Sequence, residues 1–189
     1  SYYGSSVANF GLLSVVNTTV SGNYTKKGGS IGSFGVLRML NATVSHNEAV
    51  EGAGVNVFAG EAHLVNTLIA NQLAGADCAT IIGTITSYGH NLDSDGTCNL
   101  DPTLMDIPFG NANLGPLQVN ETGTPTHALL PGSQAIDGAS EPVCHDVEVN
   151  GVDQRNIHRY HGASCDIGAF ELQDPAIVIH ETDGTTLSL

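Results

Sequence analysis

The chain contains no tryptophan, and only five of its 189 residues are lysine or arginine. Against 19 aspartates and glutamates this leaves a formal net charge of −14. Such a surface repels nucleic-acid phosphates and uronate polymers over a screening length of about 8 to 10 Å. No run of eighteen apolar residues is present, which excludes an apolar membrane-spanning helix. Helical periodicity long enough for a crossover helix is missing as well. The four cysteines form no Cys-x-x-Cys pair, so neither a zinc ribbon nor a thioredoxin-like site is supported.

What the sequence has instead is repetition. "VNTTVSGN" at 16–23 returns as "LNATVSHN" at 40–47 and as "VNTLIANQ" at 65–72, placing Asn17, Asn41 and Asn66 24 and 25 residues apart. Val7, Ile31 and Val55 share the period, as do Phe10, Phe34 and Phe58. The extra residue of the third unit falls at or near Ala59, before Gly60, where a surface bend absorbs it. A period in this range signals stacked repeats. Inside a unit, Leu13 and Val15, Leu37 and Met39, and Ala62 and Leu64 alternate with polar residues, which is the signature of a strand. Val20, Val44 and Ile69 mark a second strand and Val7, Ile31 and Val55 a third.

Such a unit cannot bury its own apolar face, but stacked copies can. Their strands would pair in parallel roughly 4.8 Å apart, with like side chains in files. We therefore expect an all-β chain, a parallel β-helix, with Asn17, Asn41 and Asn66 at bends that need a left-handed backbone and with their amides in a ladder. The 23 glycines, about 12% against a usual level of about 7%, agree with a chain rich in bends.

Cys78 and Cys98, then Cys144 and Cys165, form two local pairs, read as disulfides of a protein in an oxidising, extracellular location. Each closes a loop of about twenty residues, worth about 3 kcal/mol on the loop-entropy estimate. Sequons stand at Asn17, Asn23, Asn41 and Asn120, although two are simply part of the repeat.

From about Ala76 the strings "ADCATIIGTITSYGHNLDSDGTCNL", "GPLQVNETGTPTHALLPGSQAID" and "DQRNIHRYHGASCDIGAFE" resemble the C-terminal part of secreted bacterial β-helix repeat proteins of the choice-of-anchor Q type. With the upstream repeats, the resemblance spans roughly residues 4–171. It implies a right-handed, pectate-lyase-like β-helix with loop-rich, disulfide-linked C-terminal coils, in a large exported or surface-anchored protein. Gln134, where a proline is common, and "DGAS" after residue 136 depart from that pattern. Three regions follow: regular coils at 1–75, loop-elaborated coils of the same domain at 76–171, and a linker with a strand-like tail at 172–189.

Catalysis is not what these residues suggest. A polysaccharide lyase needs cations and a base, yet of Lys26, Lys27, Arg38, Arg155 and Arg159 only Arg38 falls in a repeat strand. A glycosidase needs carboxylates from neighbouring coils, and residues 1–75 hold only Glu48, Glu51 and Glu61, leaving Asp137, Asp146 and Asp153 as later candidates. His46, His63, His127, His145, His158 and His161 read as surface residues, with "HRYH" at 158–161 a weak metal pattern. "NLDSDG" at 91–96 matches the spaced oxygens and glycine of a calcium loop, with Asn91, Asp93 and Asp95 as ligands. The twelfth place is Pro102 and not a glutamate, so Asp101 would have to compensate.

The first residues already fit the repeat, and Ala176 to His180 has strand character after the break at Pro175. This predicts contacts at both ends: a homo-oligomer or filament built by head-to-tail stacking or by donation of residues 175–189. The expected function is therefore noncatalytic, structural or adhesive, with a cell-surface glycan as a further partner. A polysaccharide-binding or polysaccharide-degrading protein is the alternative. The cysteine reading has a direct check: the unreduced protein should show no free thiol by alkylation and mass measurement, and any alkylated cysteine would contradict it.

Overall fold

The computed structural model describes residues 5–159 and 162–173, together with the backbone of two short strands at 178–180 and 186–188. Four circuits of chain each contribute three strands. The first gives β1 (Val7–Asn9), β2 (Leu12–Val16) and β3 (Thr19–Ser21), and the second β4 (Ile31–Ser33), β5 (Val36–Leu40) and β6 (Thr43–Ser45). The third gives β7 (Val55–Val57), β8 (Glu61–Val65) and β9 (Leu68–Ala70), and the fourth β10 (Cys78–Thr80), β11 (Thr84–Ser87) and β12 (Leu92–Asp93). Equivalent strands pair in parallel into three sheets, β1-β4-β7-β10, β2-β5-β8-β11 and β3-β6-β9-β12, so the chain is a β-solenoid of four turns.

Register follows the repeat. Val7, Ile31, Val55 and Cys78 lie opposite one another, as do Leu13, Leu37, Ala62 and Ile85. The inward files are dry: Ile31, Leu37, Met39, Val44, Val55 and Leu64 are all fully buried. The additional residue of the third turn is Ala59. Its N–H and that of Phe58 both donate to Ser33 O, at 3.3 and 2.8 Å. The next residue, Gly60, has φ +75° and lies so close to Gly35 that a Cβ would sit 2.2 Å from its carbonyl oxygen. Only glycine closes that bend.

Phe10, Phe34 and Phe58 also form a file, but on the outside of a corner. Their rings stack nearly parallel with centroids 5.0 and 4.7 Å apart, while exposure falls from 76% at Phe10 to 7% at Phe58. Stacked pairs of this kind contribute about 0.5 to 1.5 kcal/mol each beyond area burial.

Asn17, Asn41 and Asn66 take φ of 46°, 46° and 49°, the left-handed conformation their bends require. Their amides make only one ladder rung, Asn66 Nδ2 to Asn41 Oδ1 at 3.4 Å. Asn17 Nδ2 instead donates to the carbonyls of Val149 and Val152, and Asn66 Nδ2 to that of Ser140. The continuous amide ladder runs elsewhere, from Asn23 to Asn47 to Gln72 at 3.0 and 3.2 Å, and ends on Asp77. Asn41, fully buried, has no room for a glycan.

After the fourth turn the chain adds one more parallel bridge, Ile107 against Leu92, and then runs back along the solenoid as a buttress. It contains the antiparallel pair β13 (Leu114–Gln118) and β14 (Thr126–Leu129) and one short helix, α1 (Glu141–Cys144). The buttress covers the outer face of the β3-β6-β9-β12 sheet. Gln154 bonds Thr19, His127 bonds Ser21 and Ala169 N bonds Thr43 Oγ1. Leu68, Ala70 and Leu92 join Leu129, Ile167 and Phe170 in a second apolar core. The two disulfides are Cys78–Cys98, beside the fourth turn, and Cys144–Cys165, inside the buttress; they fit an oxidising environment. In the tail, β15 (Val178–His180) pairs antiparallel with β16 (Thr186–Ser188). The strand expected at 176–180 thus finds a partner within its own tail; Ala176 itself, like His161, lies outside the described residues.

Two groups of polar side chains are buried beneath or within the buttress, and the second corrects the surface position expected of His127. Arg155 and Arg159 are buried, in a cluster with Asp153, Asp166 and Glu171. Arg155 pairs with Asp153 at 2.7 Å and covers the Phe170 ring, and Arg159 pairs with Glu171 at 3.3 Å. His127 is also buried, stacked on His46 at 4.7 Å. Its Nδ1 faces Gly115 O at 2.7 Å and so carries the proton, leaving Nε2 to accept from the Ser21 hydroxyl at 2.8 Å.

The arginine cluster sets a pH dependence. Two guanidinium groups face three carboxyls, so one proton makes the buried group neutral. Burial first, and then the Asp166 carboxylate, pushes Glu171 from 4.5 up to about 8; burial likewise pushes Asp166 up to about 6. A carboxyl raised in this way stabilises the fold fully below its unfolded pKa, and the contribution is lost as pH rises towards the folded value. His127, which burial holds below 6.5, acts oppositely: its contribution is present above pH 6.5 and lost below. Between pH 6.5 and 8 only the Glu171 loss operates among these three groups, at most about 2 kcal/mol. The melting temperature should fall across that window, and Glu171→Gln should flatten the fall; an equal slope in the variant would show that the proton resides elsewhere.

Candidate functional site

The outward phase of the β2-β5-β8-β11 sheet carries the exposed side chains of Val36, Arg38 and Glu61. Period-two alternation puts Ser14, Arg38, His63 and Thr86 in one file across it, paired residue to residue. Val36 and Glu61 are opposite each other one step along, and Leu40 and Val65 one step the other way. Tyr88 follows β11 and is 62% exposed. Val36, Arg38, Leu40, His63, Val65 and Tyr88, together with Val143 of α1, line a groove of about 610 Å³.

The chemistry of the groove is mixed by construction. Val36, Leu40, Val65 and Val143 give it an apolar floor and wall, while Arg38, His63 and Tyr88 bring polar atoms to the same surface. His63 is positioned from both sides: Nε2 lies 3.1 Å from Glu61 Oε2 and Nδ1 3.1 Å from the Tyr88 hydroxyl. The carboxylate can only accept, so in the neutral ring Nε2 carries the proton and Nδ1 accepts from tyrosine. The two rings also stack, with centroids 5.5 Å apart. Arg38 Nη1 meets Glu148 Oε1 of the buttress at 3.2 Å, both side chains being about half exposed. An aromatic face, an apolar floor and donors and acceptors at the edge make a surface suited to a polyhydroxylated ligand.

The residues singled out from the sequence are distributed as follows. Asp93 and Asp95 come together, but their third companion is Asp77, with one carboxylate oxygen of each inside a 4.8 Å span. Asn91 stands apart from them, since its Oδ1 accepts from Thr67 N and its Nδ2 donates to Leu64 O, Ser87 and Asp106. Asp101 caps a 3-10 turn through Thr103 N. Asp137 accepts from Ala163 N and Ser164 N, Asp146 from Glu148 N, and Asp153 holds Arg155, so each has a local structural task. Asp77 escaped notice because it belongs to the preceding circuit. Its signal was present: it immediately precedes Cys78, whose disulfide to Cys98 brackets the acidic turn. Tyr88 leaves no periodic signal, because tyrosine does not recur once per turn.

No protein-family model, curated protein or solved structure matches this chain. The Arg38–Glu148 pair, open to solvent, should count for little in folding. Arg38→Ala is expected to change the unfolding free energy by less than about 1 kcal/mol, measured by urea denaturation; a larger loss would mean that the groove's one arginine is a structural member.

Proposed function

We propose that this chain is a noncatalytic, extracellular adhesive β-solenoid that binds a neutral polysaccharide along the outer face of its middle sheet. The observation that carries the reading is the groove itself, in which Tyr88 and His63 stack beside an apolar floor and Arg38 and Glu61 stand within reach of a ligand lying along the file. Pyranose rings offer one face of C–H groups to an aromatic side chain and a rim of hydroxyls to polar ones, which is the complement of this surface. Neutral chains are favoured over acidic ones by the charge of −14.

Binding is favoured over cleavage by the state of the carboxylates. Glu148 is tied to Arg38 and Glu61 to His63, whereas hydrolysis needs one free acid and one free base or nucleophile across the scissile bond. The likeness to exported choice-of-anchor Q proteins supports the same setting, a module displayed at a cell surface. Assembly into a filament has less support, because the tail strand is paired with β16.

An array of neutral polysaccharides, probed with the purified protein and with Tyr88→Ala, tests the proposal. We expect at least one bound glycan, affinity at least tenfold weaker in the variant, equivalent to about 1.4 kcal/mol, and unchanged melting. Absence of binding to every neutral glycan would refute the adhesive reading. Release of reducing ends or unsaturated products would refute the noncatalytic one.

A further inference from the structure

A second site lies at the end of the fourth turn, where β12 leads into the turn closed by the Cys78–Cys98 disulfide. Asp77, Asp93 and Asp95 converge there. Asp77 and Asp93 are buried, at 1% and 0% exposure, while Asp95 is open to solvent. The main chain and neighbouring hydroxyls hold the three carboxyls in place. Asp77 Oδ2 accepts from Ser94 N and Oγ, both at 2.7 Å, and its Oδ1 from Gln72 Nε2 at 3.1 Å. Asp95 Oδ2 accepts from Asp77 N at 3.0 Å, and its Oδ1 from Thr97. Asp93 Oδ2 accepts from Cys98 N at 2.9 Å.

One oxygen is left over. Asp93 Oδ1 is buried and makes no hydrogen bond of ordinary geometry among the described residues, although the Gly96 and Phe109 N–H groups face the Asp93 carboxyl, and no ion pair found among them reaches any of the three carboxyls. Burying a carboxylate oxygen without a well-aligned donor is expensive, and grouping two further carboxyls beside it compounds the cost through repulsion. The ordinary remedy, a lysine or arginine, is not used here, although the same chain supplies two arginines to its other buried carboxyl cluster.

From this geometry we infer that Asp77, Asp93 and Asp95 bind a divalent cation, with Asp93 Oδ1 as the inner ligand and Asp95 at the solvent entrance. All three side-chain ligands are oxygens, and the charge is concentrated in carboxylates, which selects a hard ion of the calcium or magnesium class and disfavours zinc. Calcium suits the site better than magnesium, because it accepts irregular oxygen geometry and completes its shell with water from the open side. The Cys78–Cys98 bridge ties the residue after Asp77 to the far side of the turn, so the ligands are gathered before the ion arrives.

Calorimetric titration of calcium chloride into chelator-treated protein, with melting curves in parallel, provides the test. The wild type should bind one ion and melt higher in calcium than in chelator. Asp93→Asn and the solvent-facing Asp95→Asn should each bind at least tenfold more weakly. In chelator, Asp93→Asn should melt no lower than the wild type, since its amide oxygen can still accept from Cys98 N while the repulsion is removed; Asp95→Asn replaces one of two oxygens that accept from N–H groups and is read for binding alone. The inference is overturned if the wild type gives no calcium heat and the same melting temperature in chelator, or if both variants bind as tightly as the wild type. The outcome is independent of glycan binding, because the groove and this turn share no residue.

Discussion

In the main chain of the described circuits, each circuit hydrogen-bonds to its neighbours and not to itself. Ile31 N reaches Gly54 O and Val55 N reaches Asp77 O, and the three sheets contain only parallel pairs between successive circuits. Parallel pairing holds register residue against residue, so the character of a position is inherited along the axis. That single constraint yields the dry inner files, the phenylalanine stack and the amide ladder. It also yields the open face, because side chains alternating out of β5 and β8 have no choice but to assemble into a strip. Arg38 and His63 are neighbours for the same reason that Leu37 and Ala62 are.

Much of this was legible in the sequence, because a spatial repeat becomes a repeat in residue number. The asparagines at 17, 41 and 66 announce both the period and the backbone conformation, and the glycine after Ala59 locates the one extra residue. The burial of the phenylalanines was not legible: a file can stand inside or outside a corner, and the spacing is identical. The buttress was hidden for a stronger reason. Its contacts join Asn17 to Val152 and Thr43 to Ala169, and pairings across more than a hundred residues leave no periodic trace. One clue was available in the third circuit, where Leu68, Ile69 and Ala70 are apolar at successive positions while the earlier circuits alternate. A strand apolar on both phases is a strand covered on both faces.

The scarcity of basic residues explains how the charges are arranged. Of the cations in the described part, Arg155 and Arg159 are held inside the buttress, where two guanidinium groups offset most of the charge of three carboxyls. A buried arginine stays protonated, so the deficit is made up by a proton on a carboxyl, and it is Glu171 that environment selects. At the Asp77 cluster there is no arginine. Burial, with Asp95 alongside, raises Asp77 to about 6, so a shared proton and a bound ion are alternative ways of relieving the same strain. Two acidic clusters in one small fold thus offset their charge by different means, one with its own arginines and one, at the site proposed above, with a divalent cation from solution.

The buttress ties these parts together. Val143 forms one wall of the groove and Glu148 holds Arg38 across it, while Ser140, a few residues away, is fixed to Asn66 by paired hydrogen bonds. The segment from Ser140 to Val152 therefore bonds the asparagine bends on one side and shapes the groove on the other. Cys144 sits at the centre of that segment, within 3.6 Å of the Asn41 amide and bonded to Cys165. A bend residue that is needed anyway to stack one circuit on the next is used a second time, as the anchor for the wall of the groove. The groove is consequently a property of the whole fold: its floor comes from repeats and its wall from a segment that does not repeat at all, and the side chains of Asn17 and Asn66 are the joint between the two.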